Sequence, residues 1–201
     1  MNRPQRQFVL ASGSPRRHLL LSIARYEFDV IPSDVEEMRR PEESAEEYVV
    51  RTAKEKAQAV AHQLPRGVIV LGFDTEVVLD GRIYGKPADE TEAAEMLLSL
   101  AGRTHTVYTG YCLTRAGEDF MESGIDAAHV TIRPVTPEEA ARYAATEEPL
   151  DKAGAYALQG RGRQFVSAVE GAKSTVIGVP LEHVVDLLTR AGVVPLDSGT
   201  E

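Results

Sequence analysis

The segment at residues 68–74 reads Val-Ile-Val-Leu-Gly-Phe-Asp, a mostly apolar run followed directly by a carboxylate. A short apolar run rich in β-branched residues is typical of a strand that is buried on both faces. The run predicts a strand that ends at Asp74, Thr75 and Glu76. Because the polar end of a buried strand is a favoured place for catalytic side chains, Asp74 is a candidate catalytic residue at a sheet edge or in a pocket.

Helical and strand patterns alternate on both sides of this segment. Short apolar or β-branched runs predict further strands at 8–11, 28–31, 106–114, 127–135, 165–169 and 174–178, and a hairpin over 77–84 that turns at Asp80-Gly81. Capping signals and helical spacing predict helices from Pro15, over 44–63, over 90–101, from Pro137 and over 180–191. We therefore expect an α/β or α+β fold whose sheet is not purely parallel.

Length and charge narrow the class of protein. The chain has 201 residues and a formal net charge of −9, with 22 Lys and Arg against 31 Asp and Glu. We expect a single domain over 1–201, with a frayed tail at 197–201. The charge argues against a protein that binds nucleic acid through a basic face, although a few cations can still hold a nucleotide. A single cysteine, Cys112, excludes an internal disulfide framework, and we expect it to be a small core residue.

The chain shows no sign of membrane targeting. Near the start, only residues 8–11 form an apolar run, which is too short for the core of a signal peptide. No stretch approaches the length of a membrane span. We therefore expect a cytoplasmic protein without a membrane partner.

A polar segment, Ser12-Gly13-Ser14-Pro15-Arg16-Arg17, follows the first predicted strand. Pro15 suits the first turn of a helix, and Ser14 suits its N-cap. The free N–H groups of a helix N-terminus favour phosphate, and arginines add donors that match phosphate oxygens. The alternative is an ordinary capped helix with Arg16 and Arg17 in solvent.

Carboxylates form a second candidate group. Asp34, Glu36 and Glu37 lie in one polar segment, and Asp74 lies at the predicted strand end. Two or three carboxylates that converge from separate loops form an oxygen-rich site suited to Mg²⁺ or Mn²⁺. Taken alone, Glu36 and Glu37 are more typical of a solvated loop.

Three lysines, Lys56, Lys86 and Lys152, are candidates for binding a polyphosphate as point charges. Lys86 lies in a Gly-Lys-Pro turn after the predicted hairpin, and Lys152 lies among the small residues of 151–156. The spacing around Lys56, taken alone, favours an ordinary lysine on a helix surface. The five histidines show no metal-ligand spacing, and no Gly-x-x-x-x-Gly-Lys phosphate loop is present.

Together and in this order, these segments resemble the Maf family of nucleoside triphosphate pyrophosphatases, from about residue 8 to about residue 188. The segments that carry the resemblance are LASGSPRR at 10–17, EE at 36–37, EYVVR at 47–51, KEKA at 54–57, LGFDT at 71–75, GKP at 85–87, GRTH at 102–105, PLDKAGAY at 149–156, QG at 159–160 and GVPL at 178–181. Each segment is short, and the resemblance rests on their number and order.

The resemblance implies an α/β architecture like that of inosine triphosphatase, with an elongated mixed β-sheet flanked by helices and two lobes around a deep central cleft. It implies hydrolysis between the α- and β-phosphates of a nucleotide, which gives the monophosphate and pyrophosphate. It also implies a divalent metal, Mg²⁺ or Mn²⁺, and commonly a homodimer. The alternative is a nucleotide-binding regulator of septum formation or cell division without significant turnover.

The resemblance also assigns roles residue by residue. Asp74 matches the family's proton acceptor. Its other active-site positions correspond to Ser12, Arg16, Arg17, Glu37, Lys56 and Lys86. The residues and the resemblance together indicate that Glu37 and Asp74 would hold the metal, with Glu36 as a further candidate ligand. Lys152 is a candidate for binding substrate because of the small residues around it.

Arg16, Thr75 and Gln159 match the three positions associated with substrate choice and look like the subgroup that acts on dTTP and UTP. The subgroup that resembles a 7-methyl-GTP pyrophosphatase usually has a tryptophan where this chain has Arg16. Phe73 and Glu76 depart from the family's usual alanine and valine.

Overall fold

The computed structural model of the chain describes residues 6–196, so the tail expected at 197–201 lies outside the described residues. The strands are β1 (Phe8–Leu10), β2 (Phe28–Val30), β3 (Ile69–Leu79), β4 (Arg82–Tyr84), β5 (Thr104–Arg115), β6 (Met121–Ile132) and β7 (Val166–Glu170). The helices are α1 (Pro15–Ile23), α2 (Ala45–Ala61), α3 (Glu90–Leu100), α4 (Pro137–Ala144), α5 (Lys173–Ile177) and α6 (Leu181–Arg190), and short 3-10 turns span Ala153–Ala155 and Gly160–Phe165. No helix within 6–196 is both long and apolar enough to cross a bilayer.

The strands form a mixed sheet in the order β2-β1-β3-β5-β6-β7, with β4 paired to β3. β1 runs parallel to both β2 and β3, and Val9 lies opposite Asp29 on one side and Val70 on the other. By contrast, β4 is antiparallel to β3, and β7 is antiparallel to β6. This pairing confirms the prediction of a mixed α/β sheet.

Two predicted elements are wrong. β3 does not end at Asp74 but continues to Leu79, because Val77, Val78 and Leu79 pair with β4 and the polar residues before them stay extended. The predicted strand at 174–178 is instead the single helical turn α5. A short apolar run fits either type of element by periodicity alone. Here the buried Thr175 donates a hydrogen bond to the carboxylate of Asp126 on β6, which fixes the turn.

The described residues form two compact units. The first comprises 6–74, 109–125 and 178–196, and the second comprises 75–108 and 126–177. In the first unit, strand residues alternate between two apolar clusters on opposite faces of the sheet, as expected from the two-residue period of a strand. Phe8 and Leu10 belong to one cluster, whereas Val9 and Ala11 belong to the other.

Helix α2 packs very closely against the first unit's strands, and glycine makes this approach possible. A Cβ added to Gly72 would lie 2.5 Å from the carbonyl oxygen of Ala53 and 2.9 Å from the backbone nitrogen of Ala57. A Cβ at Gly110 of β5 would likewise meet the carbonyl oxygen of Val49. The face of α2 between Ala53 and Ala57 is therefore held directly against β3.

The second unit has its own core, which joins β-strand residues to α3, α4 and the 3-10 turns. The rings of Tyr143 and Phe165 lie 5.1 Å apart in this core. A buried polar pair, His105 Nε2 and Tyr156 Oη at 2.7 Å, ties β5 to the segment after Ala153–Ala155. Burial lowers the pKa of His105 to about 4, so its imidazole is neutral at pH 7.

Candidate active site

A buried lysine bridges two carboxylates in the first unit. The Nζ atom of Lys56 lies 2.7 Å from Oδ1 of Asp74 and 2.7 Å from Oε1 of Glu37. Lys56 is only 7% exposed, so the interpretation of a surface lysine is wrong. Its neighbours on α2 pack at Gly72 of β3, and Asp74 lies two residues further along the same face of that strand. The packing of α2 on β3 thus sets the lysine beside the carboxylate.

Asp74 is buried in the interior of β3, with 3% of its surface exposed. Its Oδ1 atom accepts a hydrogen bond from Lys56, while Oδ2 has no hydrogen-bond partner in the described part of the chain. Burial raises the pKa of Asp74, the positive charges of Lys56 and Arg17 oppose that rise, and the charge of Glu37 adds to it. One oxygen is therefore fixed, and the other is available to a proton or a cation.

Arg17 contacts three separate parts of the first unit. Its Nη1 atom donates to Ser12 Oγ at 3.0 Å, and its Nε atom donates to the carbonyl oxygen of Gly178 at 3.0 Å. Its guanidinium also lies 5.6 Å from the ring centroid of Phe73, within cation–π range. Burial lowers the pKa of Arg17, and the carboxylate of Asp74 opposes that effect. Arg17 thus lies in the electrostatic surroundings of Asp74, and Ser12 is joined to it by the hydrogen bond from Arg17.

The N-terminus of α1 differs in detail from the prediction. Ser14 occupies the N-cap position and Pro15 the first turn, but the Ser14 side chain makes no capping hydrogen bond. Arg16 is half-buried at the second position of the helix.

Glu37 and Glu36 lie on the segment between β2 and α2. The side chain of Glu37 is 39% exposed and reaches Lys56. Glu36 is exposed, and the structure gives its carboxylate no ion pair among the residues it describes.

The donors present suit a divalent cation only in part. Nowhere in residues 6–196 are three or more His, Cys, Asp or Glu side chains arranged to hold a metal ion. Oxygen donors at this site include Oδ2 of Asp74, which has no hydrogen-bond partner among the described residues, and the partly exposed carboxylate of Glu37, which also binds Lys56. Mg²⁺ in phosphate-transfer sites is usually held by one or two carboxylates, with phosphates and water as the other ligands. These two carboxylates fit that mode of binding, whereas a centre built from protein groups alone is not supported.

The second unit contains four of the predicted site residues. Thr75 follows Asp74 in β3 and is half-buried, whereas Lys86 and Gln159 are exposed. Lys152 donates to the carbonyl oxygen of Glu148 and to the carboxylate of Asp151. The segments around Lys86 and Lys152 are joined by a backbone hydrogen bond from Gly154 to Gly85 at 3.1 Å.

Glu148 organises the segment next to Gln159, and sequence reasoning missed it. Its carboxylate accepts hydrogen bonds from the backbone N–H groups of Arg161 at 3.0 Å and Gly162 at 2.9 Å, and from the hydroxyl of Tyr143 at 3.0 Å. Burial alone would raise the pKa of Glu148, but these hydrogen bonds and the charge of Lys152 lower it. The glycines at 160 and 162 were the available signal, since a backbone turn closes around this carboxylate there.

Comparison with known proteins gives concordant matches. Residues 7–191 match a family model described as Maf-like protein. A dTTP/UTP pyrophosphatase of Myxococcus xanthus (strain DK1622) is 47% identical over 193 residues, which is 96% of this chain and 96% of the relative. A dTTP/UTP pyrophosphatase of Escherichia coli (strain K12) is 45% identical over 90% of this chain and 91% of the relative. Among solved structures, a HAM1 protein from Coxiella burnetii covers 91% of this chain and 98% of its own at a TM-score of 0.52 and 18% identity, which is a similarity of fold.

Proposed function

This chain belongs to the family of Maf-like proteins, and we propose that it hydrolyses dTTP and UTP between the α- and β-phosphates to the monophosphate and pyrophosphate. Relatives that carry the name dTTP/UTP pyrophosphatase are 45–47% identical over at least nine-tenths of both chains. The structural observation that carries the proposal is the buried Asp74, with one oxygen held by Lys56 and the other without a partner among the described residues.

In the proposed mechanism, Asp74 orients and deprotonates the attacking water. Lys56 fixes Oδ1 and its charge favours the ionised carboxylate, which leaves Oδ2 as the oxygen that can face the reacting groups. Burial acts against the charge of Lys56 and raises the pKa of Asp74. A carboxylate with a raised pKa is a more effective base near neutral pH. A buried base with one fixed oxygen suits direct attack by water and needs no covalent intermediate.

Cationic groups supply the electrostatic part of the mechanism. Arg17 presents a fixed guanidinium beside Ser12 and Asp74, and such donors stabilise the charge that develops on phosphoryl oxygens. We assign the same role to Arg16, Lys56 and Lys86, which match active-site positions of the family, and a substrate-binding role to Lys152 because small residues surround it. Thr75, Gln159 and Arg16 would determine the choice of nucleotide.

We further propose that the reaction uses Mg²⁺ or Mn²⁺ held by Glu37 and Asp74, with Glu36 as a further candidate ligand. When bound, the cation would supply Lewis-acid stabilisation of phosphate charge. The family resemblance also favours a homodimer in the cytoplasm, and the homodimer can be checked by light scattering on the purified chain.

Pyrophosphate release from a panel of nucleotides tests the proposal. The panel contains dTTP, UTP, CTP and modified pyrimidine triphosphates, each with Mg²⁺ or Mn²⁺, and the products are separated by anion-exchange chromatography. We expect monophosphate and pyrophosphate from dTTP and UTP. Release of inorganic phosphate and a diphosphate would contradict the assigned bond. Nucleotide binding without release would favour the regulator, an alternative that the names of the relatives do not favour.

A further inference from the structure

Arg51 of α2 makes an unusually complete set of contacts with the segment that precedes the helix. Its Nε and Nη2 atoms donate to the two carboxylate oxygens of Glu43, at 2.6 and 2.8 Å. Nη2 also donates to the carbonyl oxygen of Met38 at 2.9 Å, and Nη1 donates to Glu55 at 2.8 Å. The side chains of Arg51 and Glu43 are only 16% and 9% exposed, so solvent screens this pair less than an ordinary surface ion pair.

Arg51 binds the backbone of Met38, which is the residue directly after Glu37 in the chain. The segment between Val30 and Ala45 contains neither helix nor strand, so side-chain contacts with α2 contribute to holding it in place. Glu37 itself reaches α2 at Lys56, which also holds Asp74. The segment is therefore attached to α2 through Arg51 and through Glu37, and also through Arg40, whose Nη2 atom donates to Glu55 at 3.1 Å.

We propose that Arg51 is a positioning residue for the pyrophosphatase reaction, because it holds the segment at Met38 and Glu43 and so keeps the Glu37 carboxylate beside Lys56. This inference rests on the proposed function. The planar guanidinium is essential to the role, since one group satisfies a bidentate carboxylate, a second carboxylate and a backbone carbonyl at once. A lysine at this position keeps the charge but cannot make the same set of hydrogen bonds.

A double-mutant cycle between Arg51→Lys and Glu37→Gln separates positioning from simple stabilisation of the fold. The kcat and KM for dTTP are measured with Mg²⁺ for the wild type, the two single variants and the double variant. We expect Arg51→Lys to lower kcat/KM by about tenfold or more, since small misplacements of an active-site group cost up to about 10²-fold. In the Glu37→Gln background, the same change should cost less than about twofold, because the carboxylate to be positioned is already absent.

Equal effects of Arg51→Lys in both backgrounds would overturn the inference, because they would show that Arg51 acts independently of Glu37. Arg133→Lys is the matched control. Arg133 also binds one carboxylate, that of Glu139, through two nitrogens, and it donates to the carbonyl oxygens of Pro134 and Gln164. We expect kcat/KM of Arg133→Lys to stay within about twofold of the wild type.

A second readout does not depend on turnover. Hydrogen exchange of backbone amides in 33–43 should accelerate in Arg51→Lys, while exchange in β1 and β3 stays as in the wild type; unchanged exchange in 33–43 would contradict the inference. If Arg51→Lys does not fold, Glu43→Gln takes its place in the cycle with the same expectations. A wild-type chain that releases no pyrophosphate from any nucleotide would overturn the proposed function, and this inference with it. An active wild type with additive variants would overturn the inference alone.

Discussion

Lys56 Nζ lies 2.7 Å from Asp74 Oδ1, and both side chains are more than nine-tenths buried. Taking two charges out of water is costly, and a buried ion pair repays that cost only when its geometry is good. Here the pair also leaves one carboxylate oxygen without a partner among the described residues. A buried pair with an unsatisfied oxygen contributes less to the stability of the fold than a fully hydrogen-bonded pair. Such arrangements are common among catalytic side chains.

Asp74→Asn tests the proton acceptor. The substitution keeps the shape of the side chain but removes the base and one charge. We expect turnover of dTTP and UTP to fall by about 10²-fold or more, the contribution typical of a positioned acid–base group. Pyrophosphate release under saturating nucleotide is the measurement.

The stability of Asp74→Asn provides the control. The amide removes one charged partner of Lys56, but Lys56 keeps the carboxylate of Glu37 at 2.7 Å, and burial of Asp74 already opposes its ionised form. The melting temperature at pH 7 should therefore fall by less in Asp74→Asn than in Lys56→Met. Wild-type turnover in this variant would show that another group accepts the proton.

Lys56→Met tests the bridge between the two carboxylates. Removing one partner of a buried pair leaves an uncompensated charge and typically costs about 3–5 kcal/mol in the free energy of unfolding at neutral pH. Because the charge of Lys56 opposes the rise in the pKa of Asp74, that pKa should rise further in this variant. If Asp74 must be ionised to act as the base, the acid limb of the pH–rate profile moves to higher pH. An acid limb at the wild-type position would argue against Asp74 as the group that titrates.

The region around Asp74 shows what sequence could and could not predict. The sequence predicted the strand over 68–73, the start of α2 near Ser44 and the turn at Asp80-Gly81, because local spacing and capping residues determine such elements. The sequence did not predict that β3 continues through Asp74. The polar residues 74–76 stay in the strand because the residues after them pair with β4.

The position of Lys56 was misjudged for a different reason. Buried residues of α2 recur at three- and four-residue spacing, and Lys56 follows Thr52 by four residues and Ala53 by three. In the structure this spacing puts Lys56 on the buried face of the helix, whereas the sequence favoured a surface lysine, because a lysine is almost never fully buried without a partner. Its partners, Asp74 and Glu37, come from distant parts of the chain. The resemblance named these residues, and the contacts between them required the structure.

Gly72→Ala tests whether the close packing of α2 on β3 holds the site together. The added methyl would lie 2.5 Å from the carbonyl oxygen of Ala53, so the helix must shift. Overpacking of this kind typically costs about 1–3 kcal/mol, and the shift should also lower kcat by displacing Lys56 from Asp74. Urea unfolding and steady-state kinetics measure the two effects.

Gly85→Ala is the matched control for Gly72→Ala, because no atom lies within 4 Å of a Cβ added there. We expect its stability to stay within about 0.5 kcal/mol of the wild type. An equal loss of stability in the two variants would mean that glycine content, and not the contact with Ala53, matters.

Glu43→Gln should reveal a pH-dependent contribution of the Arg51 pair to stability. Hydrogen bonds from Arg51 lower the pKa of Glu43 to about 2, so its ionised form stabilises the fold. For a carboxyl whose folded-state pKa is depressed, this contribution is present above the unfolded pKa, which is about 4.3, and is lost as pH falls towards 2. We expect Glu43→Gln to cost about 1–2 kcal/mol at pH 7 and progressively less below pH 4.

Glu139→Gln is the comparison for Glu43→Gln. The pKa of Glu139 is also lowered to about 2, by Arg133, but its side chain is 29% exposed against 9% for Glu43. Solvent screening should make its effect on the unfolding free energy the smaller of the two at pH 7. A cost for Glu43→Gln that does not change between pH 7 and pH 3 would show that packing, and not the ionised pair, is responsible.

Glu148→Gln tests the support of the segment that carries Gln159. An amide has one acceptor oxygen where the carboxylate has two, so the backbone N–H of either Arg161 or Gly162 loses its acceptor. Because one of these donors is exposed and the other only part-buried, the loss should cost about 0.5–1.5 kcal/mol, seen as an earlier midpoint in urea unfolding. Since Gln159 is proposed to help select the nucleotide, the ratio of kcat/KM for UTP to that for CTP should fall. The exposed neighbour variant Glu147→Gln should change neither quantity, and an unaltered UTP-to-CTP ratio in a destabilised Glu148→Gln would separate the fold of this segment from nucleotide choice.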